Sequence, residues 1–199
     1  APRKARRIYI TDTEINHVAH KLAKPTDVII PTHFIDSLAG PLMKKKCKFH
    51  RIDGLHGHVH LHPHMRPMSV CQPPKVLVRR LIGNGIHDAG EVTSIPEDWL
   101  EGLDVTNADE NQYDENPWDL TTQISQMNGV ITQSVTLASE SVLLGVPALL
   151  VSKAKRGFLD RLVDDGYPLF IATEADESIL AAWLAGLHLT DALEEPDWP

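Results

Sequence analysis

The spacing of apolar residues near the start of the chain predicts a strand, a helix and a second strand. Residues 7–11 (RIYIT) form a short run that is rich in strand-favouring side chains. Residues 13–23 place apolar side chains at helical spacing, and Asp12 or Thr13 is the expected N-cap. Residues 27–31 (DVIIP) are continuously apolar, as in strands buried on both faces. This βαβ order predicts a parallel pair of strands.

A longer alternating series begins at Lys75. Its predicted strands are residues 76–82, 103–106, 129–132, 148–152 and 169–172. Its predicted helices are residues 96–103, 117–127, 136–144, 157–165 and 175–187. Strands that alternate with helices predict an α/β fold with a doubly wound parallel sheet, whose ligands lie beyond the carboxyl ends of the strands.

The segment between the two series, residues 53–74, is rich in His, Pro and Met and lacks a regular period. We therefore predict a partial N-terminal βαβ region with a His-rich crossover over residues 1–74. A C-terminal Rossmann-like domain is predicted over residues 75–189, and residues 190–199 form an acidic tail.

Composition and charge narrow the class of protein. The chain has 199 residues, of which 42% are hydrophobic and 23% charged, so a packed core is expected. The formal net charge of -8 argues against nucleic acid as a partner. A local basic run, Lys44 to Lys48, is interpreted as a solvated edge, with an anionic ligand as the alternative.

Cysteine usage and hydropathy indicate the compartment. Cys47 and Cys71 have neither the CxxC spacing of zinc sites nor the density of a disulfide framework. The longest apolar run, residues 142–151, is interrupted by Gly145 and Pro147 and is too short to span a bilayer. We expect a cytoplasmic protein without a membrane span.

Five alternating histidines are the most conspicuous local pattern. On an extended strand they would all lie on one face, where imidazoles can bind zinc, copper or nickel. They are His56, His58, His60, His62 and His64. Cysteines or carboxylates at a matching spacing are lacking, so the sequence predicts no dedicated metal site, and a metal-binding protein is the third interpretation.

Residues 129–152 (GVITQSVTLASESVLLGVPALLVS) carry the most specific chemistry. A strand leads into a polar turn over residues 132–136, and a helix begins there. Backbone N–H groups at a helix start suit a diphosphate, and Glu140, one turn beyond Thr136, can accept hydrogen bonds from ribose hydroxyls. An ordinary strand–turn–helix unit with Ser and Thr caps explains the same residues.

The run TLASESVLLGVPALLVS resembles the donor-nucleotide segment of GT-B glycosyltransferases and of UDP-N-acetylglucosamine 2-epimerases. The resemblance implies a site for a nucleotide sugar, such as a UDP-sugar, as substrate, with no further cofactor. The residues that it implies are Ser134, Thr136, Leu137 and Glu140.

Four separated segments are also similar, in the same order, to the GT-B-like family DUF354. They are ITDTEINHVAHKLAKPTDVIIPTHF, IDGLHGHVHLHP, VRRLIGNGIHDAG and TLASESVLLGVPALL followed by GFLDRL. This resemblance covers residues 8–170 and implies a GT-B-like C-terminal domain beside a truncated N-terminal Rossmann-like portion.

Two departures from the family bear on function. Gln133, Ser134 and Val135 replace a glycine-rich turn, through which a backbone approaches a pyrophosphate closely. The family also has an N-terminal βαβ region before the segment that matches residue 7 onward. The chain is therefore interpreted as a fragment, a reduced relative, or a subunit completed by a homo-oligomer or a partner chain.

The loop GNGIHDAG, residues 83–90, follows a predicted strand and faces the cleft in a GT-B arrangement. Asn84 is a candidate phosphate ligand, and His87 and Asp88 are candidate acid/base groups. A polar turn in which an Asp side chain bonds its own backbone is the alternative.

Asp12, Glu14 and His17 follow the first strand in the same way. They are candidate bases for an acceptor hydroxyl, although capping by Asp12 and Thr13, with Glu14 favoured near the positive helix end, explains them equally well. We expect a glycosyltransferase-like protein that transfers sugar to a glycan-type acceptor. The alternative is a non-catalytic binding or assembly protein derived from the same fold.

Overall fold

The structure, a computed structural model, describes residues 5–61, 70–82, 91–112, 116 and 119–187. The chain divides into two compact units. Unit 1 comprises Ala1–His56 and Lys155–Arg161, and unit 2 comprises Gly57–Ala154 and Leu162–Pro199. The sequence-based boundary after Pro74 therefore lies inside unit 2. Helix α5 (Gly157–Asp164) begins in unit 1 and ends in unit 2.

Unit 1 contains a three-stranded parallel sheet with the order β1-β2-β3. Its strands are β1 (Ile8–Ile10), β2 (Asp27–Pro31) and β3 (Lys48–Ile52). Helix α1 (His17–Leu22) follows β1, and a 3₁₀ turn (Asp36–Ala39) leads into α2 (Gly40–Met43) after β2. The predicted βαβ unit and its parallel pairing are confirmed. The sequence did not predict α2 or β3.

Helix α1 begins later than predicted, and its cap is a different residue. Asn16 is the N-cap, and its side chain accepts a hydrogen bond from the Ala19 amide at 3.3 Å. The predicted caps, Asp12 and Thr13, lie in the preceding turn, where the Thr13 hydroxyl donates to Asp12. The prediction of capping by Asp12 or Thr13 is therefore wrong.

The core of unit 1 lies on one face of its sheet. Val28 and Ile30 alternate along β2 and pack with Phe34, Ala39 and Leu42. At the start of β2, the buried Asp27 carboxylate accepts hydrogen bonds from Arg6, His50 and Thr26. The Arg6 guanidinium, followed by His50 and Thr26, holds the pKa of Asp27 well below its usual range.

Unit 2 contains a five-stranded parallel sheet with the order β5-β4-β6-β7-β8. Its strands are β4 (Lys75–Arg79), β5 (Asp104–Asn107), β6 (Gly129–Thr132), β7 (Ala148–Val151) and β8 (Leu169–Ala172). Its helices, in addition to the end of α5, are α3 (Leu120–Ser125), α4 (Val135–Leu143) and α6 (Glu177–Gly186). The prediction of a parallel α/β sheet with a Rossmann-like arrangement is confirmed.

The core of unit 2 packs around a buried tryptophan on α6. Trp183 contacts the cluster that includes Ile131 and Leu149 from the central strands, and its indole N–H donates to the Pro147 carbonyl at 3.2 Å. Gly129 lies against the ring, where an added Cβ would be 2.6 Å from a ring atom. The absence of a side chain at Gly129 therefore allows α6 to approach the sheet.

Turns and helix ends in unit 2 follow from local sequence. Gly145 has a φ of 81°, a conformation that favours glycine, and it follows the last turn of α4 as predicted. Residues 96–103 were predicted as a helix, but the regular part is a 3₁₀ turn, Glu97–Leu100.

No helix in the described part of the chain is long and apolar enough to cross a bilayer.

The alternating histidines do not lie on an extended strand. Residues His56–Val59 form a 3₁₀ turn, so the extended strand on which the five histidines would share one face is not formed at His56 and His58. His62 and His64 lie outside the described residues. A 3₁₀ turn has three residues per turn, which brings residues i and i+3 together rather than i and i+2.

A buried histidine makes unit 1 sensitive to acid. Burial lowers the pKa of His20 below the ordinary 6.5, and the neighbouring His17 and Lys45 act in the same direction, against a smaller raising effect of the Thr13 backbone. Between the lowered pKa and about pH 6.5, His20 therefore binds a proton in the unfolded chain but not in the folded chain. Stability from this group is fully present above about pH 6.5 and is lost as the pH falls towards the lowered pKa.

We expect the urea midpoint to fall between pH 7.5 and pH 5.5, and the fall to be smaller in His20→Phe. Circular dichroism during urea unfolding measures both midpoints. Equal pH dependence in the two proteins would contradict this assignment.

Candidate functional site

The strand order of unit 2 identifies the edge at which a ligand would bind. Strand β4 is followed in the chain by β5 on one side, whereas β6 pairs with the other side of β4. The strand order therefore reverses between β4 and β6. In open α/β sheets, ligands bind outside the carboxyl ends of the strands at such a switch point. The carboxyl ends here are Arg79 and Thr132.

The turn after β6 is fixed by hydrogen bonds to the end of β4. The Thr132 hydroxyl donates to the Arg79 carbonyl at 3.3 Å and accepts from the Ser134 amide at 3.0 Å. The Gln133 amide also donates to the Arg79 carbonyl, at 3.1 Å. The two loops at the switch point are therefore joined by one backbone bond and by the Thr132 hydroxyl.

The side chain of Gln133 joins these loops a second time. It is buried, and its Oε1 accepts a hydrogen bond from the Leu81 amide at 2.7 Å. Its Nε2 donates to the Thr93 carbonyl at 2.6 Å. In the sequence, Gln133 is conspicuous only as a replacement for glycine, so its structural role was not predicted. No local pattern indicates it, because both partners are far away in the chain.

Helix α4 begins directly at this turn. Ser134 is its N-cap, and the Ser134 hydroxyl accepts from the Leu137 amide at 3.3 Å. The Leu137 side chain is buried in the core, and its amide is already bonded to Ser134. Thr136 is exposed in the first turn. The positive end of the helix therefore faces the switch point, where it favours an anion.

The cationic side chains at the end of β4 are directed towards β5. Arg80 forms ion pairs with Asp109 at 3.2 Å and with Glu97 at 2.9 Å. The Arg79 guanidinium donates to the Ala108 carbonyl at 2.9 Å. The favourable field for an anion beside α4 therefore comes from backbone dipoles rather than from these arginines.

Glu140 lies one helical turn beyond Thr136. Its side chain is 19% exposed, and its Oε1 lies 3.2 Å from the Nε2 of His60. The predicted residues Ser134, Thr136, Leu137 and Glu140 thus lie on the first two turns of one helix. His60 joins them through space.

A short segment crosses the carboxyl ends of the neighbouring strands. Val92 forms an antiparallel bridge with Ser152 after β7, and the Glu91 carbonyl accepts from the Lys153 amide at 2.8 Å. The Thr93 hydroxyl donates to the Thr173 carbonyl after β8 at 3.1 Å. This segment lies over the carboxyl ends of β7 and β8, and through Thr93 it also contacts Gln133 in the turn after β6.

Comparison of the chain with protein-family models, with curated proteins and with solved structures returned no match. The resemblance to DUF354 and to GT-B glycosyltransferases therefore stays a prediction from the quoted segments. The candidate site is assigned from topology and side-chain geometry alone.

The predicted acid/base and phosphate-binding residues of the loop at residues 83–90 lie outside the described residues. They are Asn84, His87 and Asp88. Their roles stay predictions.

The other predicted bases belong to unit 1, and each has its own partner. Glu14 is fully buried, and its Oε1 accepts the amides of Ile35 at 3.1 Å and Gly157 at 3.0 Å. His17 Nε2 bonds the Leu38 carbonyl at 2.8 Å. Asp12 is more exposed and lies 3.8 Å from His56. Glu14 therefore fixes the start of α5, and Asp12 is the most accessible carboxylate of the set.

Metal binding was the third interpretation of the sequence. Among the residues that the structure describes, no three His, Cys, Asp or Glu side chains are gathered closely enough to hold a metal ion. The turn at residues 57–61 instead carries His60, the partner of Glu140.

Proposed function

We propose that this chain binds a nucleotide sugar at the switch point of unit 2, as the donor-binding part of a glycosyltransferase-like protein. The observation that carries the proposal is the position of α4. Its capped N-terminus lies directly at the point where the strand order reverses, and Glu140 follows within two turns. This combination supplies groups for both the diphosphate and the ribose of a nucleotide.

The proposed roles follow from the chemistry of each group. Backbone N–H groups at Val135 and Thr136 lie in the first turn of α4, where they favour the negative diphosphate. The same dipole would stabilise the diphosphate as a leaving group during sugar transfer. The Glu140 carboxylate accepts hydrogen bonds, which matches ribose hydroxyls.

Transfer to a glycan-type acceptor also needs a base. The predicted bases that the structure describes, Asp12, Glu14 and His17, belong to unit 1, and the Glu14 carboxylate already accepts two backbone amides. His87 and Asp88 complete the predicted set.

A thermal-shift titration with UDP, UDP-N-acetylglucosamine and other nucleotide sugars tests the proposal. A ligand that binds only the folded state raises its stability by about 2.7 kcal/mol at a concentration of 100 Kd. We expect a saturable rise in Tm for the wild type, and a loss of most of that rise in Glu140→Ala.

The matched control is Glu101→Ala. Glu101 is exposed and precedes β5, at the amino edge of the sheet, so its removal is expected to leave the shift unchanged. An equal loss in both variants would point to a general charge effect. No shift with any nucleotide in the folded wild type would refute the proposed site.

One observation favours the second candidate, a non-catalytic binding or assembly protein. Gln133 fills the turn, and its carboxamide bonds the backbone at Leu81 and at Thr93. A glycine-rich turn would instead let a pyrophosphate approach the backbone more closely. Nucleotide binding without turnover of any nucleotide sugar would support this candidate.

A further inference from the structure

The turn at residues 57–61 of unit 2, which we call the histidine turn, packs against helix α4. Within residues 57–61, the amides of His60 and Leu61 both donate to the Gly57 carbonyl, at 3.2 Å and 3.0 Å. Leu61 is buried. The turn is therefore held by its own backbone and by one apolar anchor.

Gly57 sets how closely this turn approaches α4. A Cβ added at Gly57 would overlap the Leu143 side chain and would contact Leu61 at 3.3 Å. Leu143 lies three residues after Glu140, so both side chains occupy the same face of the helix. Contact between Gly57 and Leu143 therefore places His60 beside Glu140.

The His60 imidazole donates a hydrogen bond to Glu140. The two atoms, Nε2 and Oε1, lie 3.2 Å apart, although the residues are separated by 80 positions in the chain. An ionised carboxylate can only accept, so the Nε2 atom carries a proton. A carboxylate offers about four lone-pair positions, and His60 occupies one of them. Acceptor capacity therefore remains for a ligand.

We propose that His60 is a positioning residue that fixes the Glu140 carboxylate for the hydroxyl groups of a ribonucleoside diphosphate. This inference rests on the proposed nucleotide site. A glutamate side chain that is free to rotate loses conformational freedom when it binds a ligand, and a partner that fixes it beforehand removes that loss. The substrate class that follows is a ribonucleotide rather than a 2′-deoxyribonucleotide.

Isothermal titration calorimetry with UDP and 2′-deoxy-UDP tests this role. The proteins are the wild type, His60→Ala and His60→Gln, since the glutamine amide can donate from a position similar to that of Nε2. We expect the wild type to bind UDP about tenfold more tightly than 2′-deoxy-UDP, because a hydrogen bond to a charged group is lost. In His60→Ala, UDP binding is expected to weaken about fivefold.

The ratio of the two affinities separates positioning from general support of the fold. Positioning predicts that His60→Ala lowers the preference for UDP and that His60→Gln restores it. A purely structural role weakens both ligands equally, which would overturn the inference. UDP binding that is unchanged in His60→Ala would also overturn it while leaving the nucleotide site intact. If neither nucleotide binds to the folded wild type, both the proposed function and this inference are contradicted.

Discussion

Replacing Gly157 by alanine is expected to lower the free energy of unfolding by roughly 2–4 kcal/mol, as measured by urea denaturation. An added Cβ would overlap the His33 carbonyl oxygen and would lie 3.0 Å from Glu14 Oε1. The obstructing atom is backbone, so the clash is relieved only by moving the loop after β2 or the start of α5. That movement would also weaken the hydrogen bond from the Gly157 amide to Glu14.

Gly40→Ala is the matched control for this substitution. Gly40 begins α2 in the same unit, and a Cβ there meets open space. Alanine at this position is expected to change stability by less than about 1 kcal/mol, in the stabilising direction, since it restricts the unfolded chain. Equal stability of the Gly157→Ala and Gly40→Ala proteins would contradict the described packing at the start of α5.

Gln133→Leu is expected to destabilise the protein by about 2–4 kcal/mol and to weaken nucleotide binding. Leucine has a similar volume, but it leaves the Leu81 amide and the Thr93 carbonyl without their partner. Each partly buried polar group that loses its hydrogen bond costs about 1–3 kcal/mol. Urea denaturation followed by circular dichroism measures the loss.

Gln112→Leu provides the comparison, because Gln112 is exposed in a surface loop. Its effect is expected to stay within about 0.5 kcal/mol. A Gln133→Leu protein as stable as Gln112→Leu would mean that the carboxamide does not hold the two loops together.

Two largely buried strands, β6 and β2, have the limits that the sequence predicts, and the buried β7 (Ala148–Val151) ends one residue before its predicted limit. Strand β6 (Gly129–Thr132) is buried at every position, and β2 (Asp27–Pro31) at all but one. Strand β3 (Lys48–Ile52) was missed because it is mostly exposed and its sequence, KFHRI, lacks an apolar run. Burial, rather than strand formation itself, produced the recognisable pattern.

Long-range hydrogen bonds explain why other features could not be read from the sequence. The turn before α1 has Glu14 bound to Gly157, which lies 143 residues away. Gln133 bonds Leu81 and Thr93, at separations of 52 and 40 residues. Local spacing predicted Ser134, Thr136 and Glu140 on one helix, but it contains no information about partners such as His60.

The most direct test of the nucleotide site is a titration of ¹⁵N-labelled protein with UDP, followed by amide NMR spectra. The proposed site predicts the largest, saturable shifts at the amides of Leu81, Val135, Thr136 and Glu140, with little change along β3. Saturable shifts confined to other parts of the chain, or spectra that do not change at millimolar UDP, would contradict it.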